Sequence, residues 1–235
     1  MIPLYDDNPT SSPPVVTVGL IGLSVAVFLF QFFMLNQQDA TIMIYRLGAI
    51  PAVVTGEVRL HPDLAAGVPA EATLVTSMFL HGGFLHIAGN MLYLWIFGNN
   101  VEDALGHVRF LLFYLIGGVV AALAHIYMNP TSEVPMIGAS GAISGVLGAY
   151  LLLYPRAQVM VLIPIIIIFQ LVRLPAVVVL LLWFLFQFLS NLFAGTQGEG
   201  GVAWMAHIGG FLAGIVLLFL FKRREVPLFG DGRRS

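Results

Sequence analysis

Long apolar runs dominate this chain and restrict the kind of fold that it can adopt. A run of about 20 predominantly apolar residues is long enough to cross a lipid bilayer as a helix. The composition agrees, because 59% of the 235 residues are hydrophobic and only 9% are charged, whereas soluble domains contain roughly 25% charged residues. The mean hydropathy is +0.94. We therefore predict a multi-pass membrane protein whose first partner is the lipid bilayer, and we expect no nucleic-acid partner.

The predicted fold class is an all-α membrane protein, a bundle of six transmembrane helices with a long membrane-associated loop after the first. The six spans are about 15–35, 84–101, 108–128, 137–154, 176–193 and 204–221. The loop, residues 36–80, is rich in Ala, Val, Leu and Ile, so we expect it to lie against the membrane interface. Residues 1–14 are predicted to be a short polar tail, and residues 222–235 a basic tail.

One apolar run is too short to be a seventh span. Val159–Phe169 has 11 residues and contains Pro164 in its middle, which favours a re-entrant or interfacial segment over a crossing. The sequence leaves open whether this segment is a loop, a strand-like edge or a short helix.

The charges predict the orientation of the six spans. With six spans both termini lie on one side, and eight of the ten basic residues lie there with them: Arg109, Arg156, Arg173, Lys222, Arg223, Arg224, Arg233 and Arg234. Cytoplasmic loops carry an excess of Lys and Arg, so both termini are predicted to be cytoplasmic. The short chain, without extra domains, favours a bacterial inner (cytoplasmic) membrane.

Four polar residues lie where the sequence otherwise favours apolar ones. His86 and Asn90 are near the start of the second span, Ser140 is near the start of the fourth and His207 is near the start of the sixth. These spans run in the same direction, so all four side chains are expected at a similar depth near the outer face. Polar residues inside a membrane usually face a bundle interior or a cavity, and a single site explains all four.

Serine with histidine is the minimum set for nucleophilic acyl transfer. The imidazole of His207 would take the proton of the Ser140 hydroxyl as its oxygen attacks a carbonyl carbon. His86, Asn90 and the backbone N–H of Ser140, at a helix start, are the candidate donors to the resulting oxyanion. The fourth and sixth spans contain no carboxylate, so we predict a dyad.

Glycines surround the candidate serine and histidine. Small residues at helical spacing let two membrane helices approach closely, which would bring Ser140 and His207 within hydrogen-bond distance. The candidate packing glycines are Gly138, Gly141, Gly145, Gly210 and Gly214.

The sequence lacks the residue patterns of metalloproteases, intramembrane aspartyl proteases and α/β-hydrolases. The chain has no cysteine, no H-E-x-x-H motif and no Asp within the predicted spans, which argues against a metal site and against intramembrane aspartyl catalysis. Residue 142 is alanine, so the G-x-S-x-G signature of α/β-hydrolases is absent. We expect no metal and no cofactor.

Three motifs together resemble the rhomboid family of intramembrane serine proteases over about residues 15–221. They are H-x-x-x-N in the second span, G-x-S-G in the fourth and A-H-x-G-G-x-x-x-G in the sixth. The resemblance implies that Ser140 is the nucleophile, that His207 is the general base, and that His86, Asn90 and the Ser140 backbone form the oxyanion hole. It also implies that water reaches the site from the outer face. Where some members have an aromatic residue that stacks on the histidine, this chain has Ser144.

The predicted function is therefore serine endopeptidase activity within the membrane. The resemblance implies that the substrates are single-span membrane proteins with helix-destabilising residues near the cut, admitted close to the fifth span. The fifth span and the loop Ala194–Ala203 are the candidate moving segments. The alternative is a catalytically inactive rhomboid-like binder of transmembrane helices, or a small transporter.

The other polar or aromatic candidates are assigned structural roles: His81, Trp95, Trp183 and Trp204. The oligomeric state is not predicted.

Overall fold

The computed structural model describes residues 1–64, 67–165, 168–193 and 203–230. The six long helices are α1 (Val15–Phe33), α5 (Phe84–Leu105), α6 (His107–Met128), α7 (Ser140–Leu153), α8 (Ala176–Phe193) and α9 (Trp204–Phe221). The short helices are α2 (Gln37–Leu47), α3 (Pro51–Val54) and α4 (Thr73–Thr76), and 3₁₀ turns flank α4 at Ala70–Ala72 and Ser77–Phe79. The strands are β1 (Ile2–Asp6), β2 (Gln158–Ile165) and β3 (Ile168–Pro175).

Each predicted span coincides with one long helix. In the described part of the chain, α1, α6 and α9 are long and apolar enough to cross a membrane, with mean hydropathies of 2.3, 2.1 and 2.1. Two shorter apolar stretches are Ser140–Leu153 and Ala176–Leu189. The chain is a membrane protein with a mostly helical fold, and the count of six crossings stays a prediction.

Helix α7 lies at the centre of the bundle. All residues from Ala142 to Tyr150 are buried, and α5, α6, α8 and α9 all pack around them. The helix begins at Ser140, after Gly138 with its φ of +118°. The predicted serine therefore lies at the helix start, where the first backbone N–H groups have no intrahelical acceptor.

Glycines set the distance between α7 and α9. A Cβ atom on Gly214 would collide with the backbone of Gly145, and one on Gly210 would collide with the carbonyl of Gly141. A Cβ on Gly141 would lie 2.8 Å from the Cβ of Ala121 in α6. The two helices thus meet backbone to backbone, as small-residue packing in membranes allows.

A three-stranded antiparallel sheet makes the all-α prediction wrong. β2 pairs with β3 as a hairpin, from Gln158↔Pro175 to Ile165↔Ile168, and β1 pairs with the other edge of β2. The hairpin occupies the run predicted to be re-entrant or interfacial. Its β-branched residues favour an extended backbone, and Val159 and Val161 are fully buried against the helices.

The N-terminal residues are bound to the ends of α5 and α7 by polar contacts. The hydroxyl of Tyr150 donates a hydrogen bond to the Asp6 carboxylate, and the amide of Asn100 donates to the carbonyl of Asn8 at 2.8 Å. The Asp103 carboxylate accepts from the hydroxyls of Ser11 and Ser12 at 3.1 and 2.7 Å. Residues predicted to be a tail are therefore part of the packed structure.

Glu102 explains why α5 continues beyond the predicted end of the second span. Its carboxylate, 1% exposed, accepts hydrogen bonds from the backbone N–H groups of Val16 and Thr17 at 2.9 and 2.7 Å. A negative charge at the start of α1 satisfies unpaired donors and complements the helix dipole. The helix then ends at Gly106, whose φ is +86°.

The loop after α1 packs against α6 through a small apolar cluster. Ala49 and Leu74 from the loop contact Ala122 and Ile126, and Ala49 forms an isolated bridge with Met136. This packing positions the segment that enters α5. Its association with the membrane interface stays a prediction.

We expect Gly214→Ala to destabilise the chain. The added methyl group would meet the backbone of Gly145, which cannot rotate away, and overpacking of this kind costs about 1–3 kcal/mol or more. The thermal unfolding midpoint in detergent should fall. Gly117→Ala in α6 is the matched control, because a Cβ there meets no atom within 4 Å. A midpoint equal to that of the control would contradict this account of the α7–α9 contact.

We expect the buried carboxyl of Asp6 to make the free energy of unfolding depend on pH. Burial raises the pKa of its carboxyl from 3.8 to about 6, so the folded state holds this proton where the unfolded chain has lost it. The contribution to stability is full below pH 3.8 and is lost as the pH rises through 6. Asp6→Asn should therefore match the wild type near pH 4 and exceed its stability at pH 7.5 by up to about 3 kcal/mol. Thermal melts at the two pH values test this, and an equal difference at both would contradict it.

Candidate active site

A cavity of about 540 Å³ opens at the N-terminal end of α7. Residues from α5, α6, α7, α8 and α9 line it, together with the segment that leads into α7. The polar side chains of the lining include Ser77, His86, Asn90, Ser140, Gln187 and His207. All four side chains that the sequence predicts for a single site thus line one cavity.

Ser140 and His207 are within hydrogen-bond distance. The Nε2 atom of His207 lies 2.8 Å from the Oγ atom of Ser140, although 67 residues separate them in the chain. Ser140 begins α7 and His207 lies in the first turn of α9, so the glycine contacts between these helices bring the two side chains together.

A third side chain, which the sequence analysis did not identify, contacts the histidine. The Nδ1 atom of His207 lies 2.7 Å from the Oε1 atom of Gln187 in α8. Both side chains are nearly inaccessible, at 7% exposed for His207 and 6% for Gln187. The available signal was the spacing of Trp183 and Gln187, four residues apart and therefore on one face of the fifth span.

Two tryptophans flank the imidazole of His207. The rings of Trp183 and Trp204 each have their centroids 6.0 Å from it, tilted by 39° and 87°. Both tryptophans, for which the sequence predicts structural roles, thus pack against this histidine. Ser144, in the place of the stacking aromatic of some rhomboids, donates its hydroxyl to the carbonyl of Ser140 at 2.6 Å.

His86 and Asn90 approach the start of α7 from α5. The backbone N–H of Gly82 donates to Nδ1 of His86 at 3.3 Å, which leaves the ring proton on Nε2. The amide nitrogen of Asn90 is buried and, within the described residues, has no hydrogen-bond partner. A buried donor without an acceptor is uncommon. Asn90 therefore has an unused N–H donor that a group bound in the cavity could accept from.

Gly138 makes room for this pair. A Cβ at Gly138 would lie 2.6 Å from Nε2 of His86 and 3.6 Å from the amide nitrogen of Asn90. Its φ of +118° also lies in a region that side chains with a Cβ rarely adopt. Steric and conformational requirements therefore both select glycine here.

His81 lies behind the site. Its ring is fully buried, with its centroid 5.2 Å from that of His86. Burial, and secondly the charge of His86, lowers the pKa of His81 to about 4. The ring packs against His86, and the structural role of His81 stays a prediction.

Metal chemistry has no ligand set in the part of the chain that the structure describes. No group of three or more His, Asp or Glu side chains there is arranged to hold a metal ion.

The sequence profile of the rhomboid domain matches residues 70–224, which is more than half of the chain and includes the cavity. The chain belongs to the rhomboid family. This confirms the resemblance drawn from the three motifs.

Several named relatives are similar to parts of this chain. Rhomboid protease GluP of Bacillus subtilis is 46% identical over 78 residues, which is 33% of this chain and 15% of that protein. Rhomboid protein 1, mitochondrial, of Saccharomyces cerevisiae is 32% identical over 97 residues, 40% and 28% of the two chains. RHOMBOID-like protein 6, mitochondrial, of Arabidopsis thaliana is 34% identical over 166 residues, 69% and 47%. The matched part spans less than half the length of each relative.

Proposed function

We propose that this chain is an intramembrane serine endopeptidase. The observation that supports the proposal most directly is the 2.8 Å contact between Ser140 Oγ and His207 Nε2. It lies in a cavity at one end of a membrane helix bundle, within a matched rhomboid domain. Relatives whose names describe proteases support the same assignment.

The proposed reaction proceeds through an acyl-enzyme. The oxygen of Ser140 attacks the scissile carbonyl carbon while Nε2 of His207 accepts the hydroxyl proton. The C–N bond then breaks and His207 returns the proton to the leaving amine. Water then attacks the ester carbonyl carbon while His207 removes one of its protons. The C–O bond to Ser140 breaks and His207 returns the proton to the serine oxygen. Each step needs the histidine to remain within hydrogen-bond distance of the serine.

The oxyanion formed in each step requires donors that are already in place. We assign this role to Nε2–H of His86, the amide of Asn90 and the backbone N–H of Ser140. The proton on Nε2 of His86 and the unpaired amide of Asn90 support the assignment. Donors held in a cavity shielded from water stabilise a developing negative charge more strongly than water does.

The proposed topology has six crossings with both termini in the cytoplasm. It accounts for the eight basic residues on one face, and it puts the starts of α5, α7 and α9 near the outer face. A bacterial inner membrane is our proposal for the location. Relatives from yeast and zebrafish are named as mitochondrial, so fractionation of the native host is the experiment that decides the membrane.

The proposed substrates are single-span membrane proteins that are cut within or near their transmembrane segment. Helix α8 lies beside the cavity, contributes Trp183 and Gln187 to its lining, and is the proposed entry point. The second candidate for the moving segment, the loop Ala194–Ala203, lies outside the described residues except for Ala203.

We expect Ser140→Ala and His207→Ala each to abolish cleavage of a single-span model substrate by the purified chain in liposomes. Loss of either member of a catalytic unit typically lowers kcat by roughly 10⁴-fold or more. A fluorophosphonate probe should label the wild type and not Ser140→Ala. Ser24→Ala, a change of a buried serine in α1, is the matched control and should cut normally. Undiminished cleavage by Ser140→Ala would refute the serine mechanism. A wild type that neither cuts nor reacts with the probe would favour the non-catalytic binder or transporter.

Asn90→Ala should lower kcat with little change in KM, because an oxyanion donor acts in the transition state. Removal of one such donor costs roughly 100- to 1000-fold in kcat. Asn99→Ala, the same change near the other end of α5, is the control. If Asn90→Ala raised KM and left kcat unchanged, Asn90 would contribute to substrate binding and not to the oxyanion hole.

A further inference from the structure

The catalytic histidine of the proposed function has a polar contact on the side opposite the serine. Nδ1 of His207 and Oε1 of Gln187 are 2.7 Å apart, and both side chains are buried. Since the amide oxygen of glutamine is only an acceptor, the hydrogen of this bond belongs to the imidazole. The proton of a neutral His207 is therefore on Nδ1.

This placement of the proton determines what the other ring nitrogen can do. With Nδ1 protonated, Nε2 has a free lone pair, and it lies 2.8 Å from the hydroxyl of Ser140. With the proton on Nε2, the ring would donate to the serine oxygen and could not accept its proton. In serine proteases of another fold, a partner that stabilises the wrong tautomer lowers kcat by about 10⁴-fold.

We propose that Gln187 is a positioning residue that selects the reactive tautomer and orientation of His207. The inference rests on the proposed function. It replaces the predicted dyad by a Ser140–His207–Gln187 arrangement in which the third member is neutral.

A neutral third member suits the composition of this site. Helices α7, α8 and α9 contain no Asp or Glu, so the carboxylate of soluble serine proteases has no counterpart in them. An unpaired charge inside an apolar bundle costs several kcal/mol, whereas an amide oxygen accepts the same hydrogen bond without introducing a charge.

The rings of Trp183 and Trp204 restrict His207 further. Trp183 is one helical turn before Gln187 on α8, and Trp204 is one turn before His207 on α9. The two rings restrict tilting of the imidazole. The hydrogen bond to Gln187 restricts rotation of the imidazole about its Cβ–Cγ bond. Neither tryptophan can choose the tautomer, so this function belongs to Gln187.

Helix α8 therefore links the orientation of the base to the wall of the cavity. The other face of α8 exposes Leu181, Leu182 and Leu185. An outward displacement of α8 separates Oε1 of Gln187 from Nδ1 of His207. Full activity then requires α8 to remain close enough to α9 during the chemical steps for Gln187 to contact His207.

The test compares Gln187→Leu and Gln187→Glu of the full chain in liposomes with a single-span model substrate. Leucine keeps the approximate volume and removes the acceptor, so kcat should fall roughly 10- to 100-fold, as expected for a misplaced catalytic group, with KM within about twofold of the wild type. Glutamate keeps an acceptor oxygen at the same reach and should restore kcat to within about fivefold of the wild type. Gln31→Leu, the same change at a buried glutamine of α1, should leave both constants unchanged.

Several outcomes would overturn the inference. These are a kcat of Gln187→Leu within twofold of the wild type, an effect confined to KM, or a Gln187→Glu variant as impaired as Gln187→Leu. A wild-type measurement keeps the inference testable if the variants fail to fold: ¹⁵N NMR of histidine-labelled chain should show His207 protonated at Nδ1 and unprotonated at Nε2, and the reverse overturns it. Ser140→Ala separates the two proposals. If it still cuts, the proposed function fails, whereas an inactive Ser140→Ala with an unimpaired Gln187→Leu refutes the positioning role alone.

Discussion

The contact between α7 and α9 is the constraint on which the rest of the site depends. Gly210 and Gly214 of α9 lie so close to the backbone of α7 that neither position has space for a Cβ atom. Because Ser140 and His207 lie in the first turns of these helices, the helix separation determines the distance between hydroxyl and imidazole. A larger residue in the contact would move the two groups apart without altering either of them.

The remaining polar groups of the bundle follow one rule, that a buried donor or acceptor needs a partner. Glu102 is buried at the other end of α5, where the first N–H groups of α1 satisfy its charge. The neutral amide oxygen of Gln187 accepts a hydrogen bond from Nδ1 of His207. Asn90 has no partner within the described residues, and it lines the cavity where the proposed reaction develops negative charge.

Sequence reasoning was most successful where a single helix contained the signal. The apolar runs predicted the positions of all six long helices, and the spacing of His86 with Asn90 placed them on one face of α5. The all-α class was wrong, and the conformation of Val159–Phe169 was left open because this run is short and apolar throughout and has no period that separates strand from helix. In the structure β2 is extended and pairs with β1, which lies at the N-terminus, far from β2 in the sequence.

The sequence by itself determined the membrane class, the family and the residues most suited to nucleophilic chemistry, because these depend on local composition and on short motifs. Only the tertiary structure decided that Gln187 contacts His207, that Trp183 and Trp204 flank it, and that the N-terminal residues join a sheet. Each of these contacts joins segments distant in the chain. Their geometry depends on how closely the helices pack, which no local pattern of residues reports.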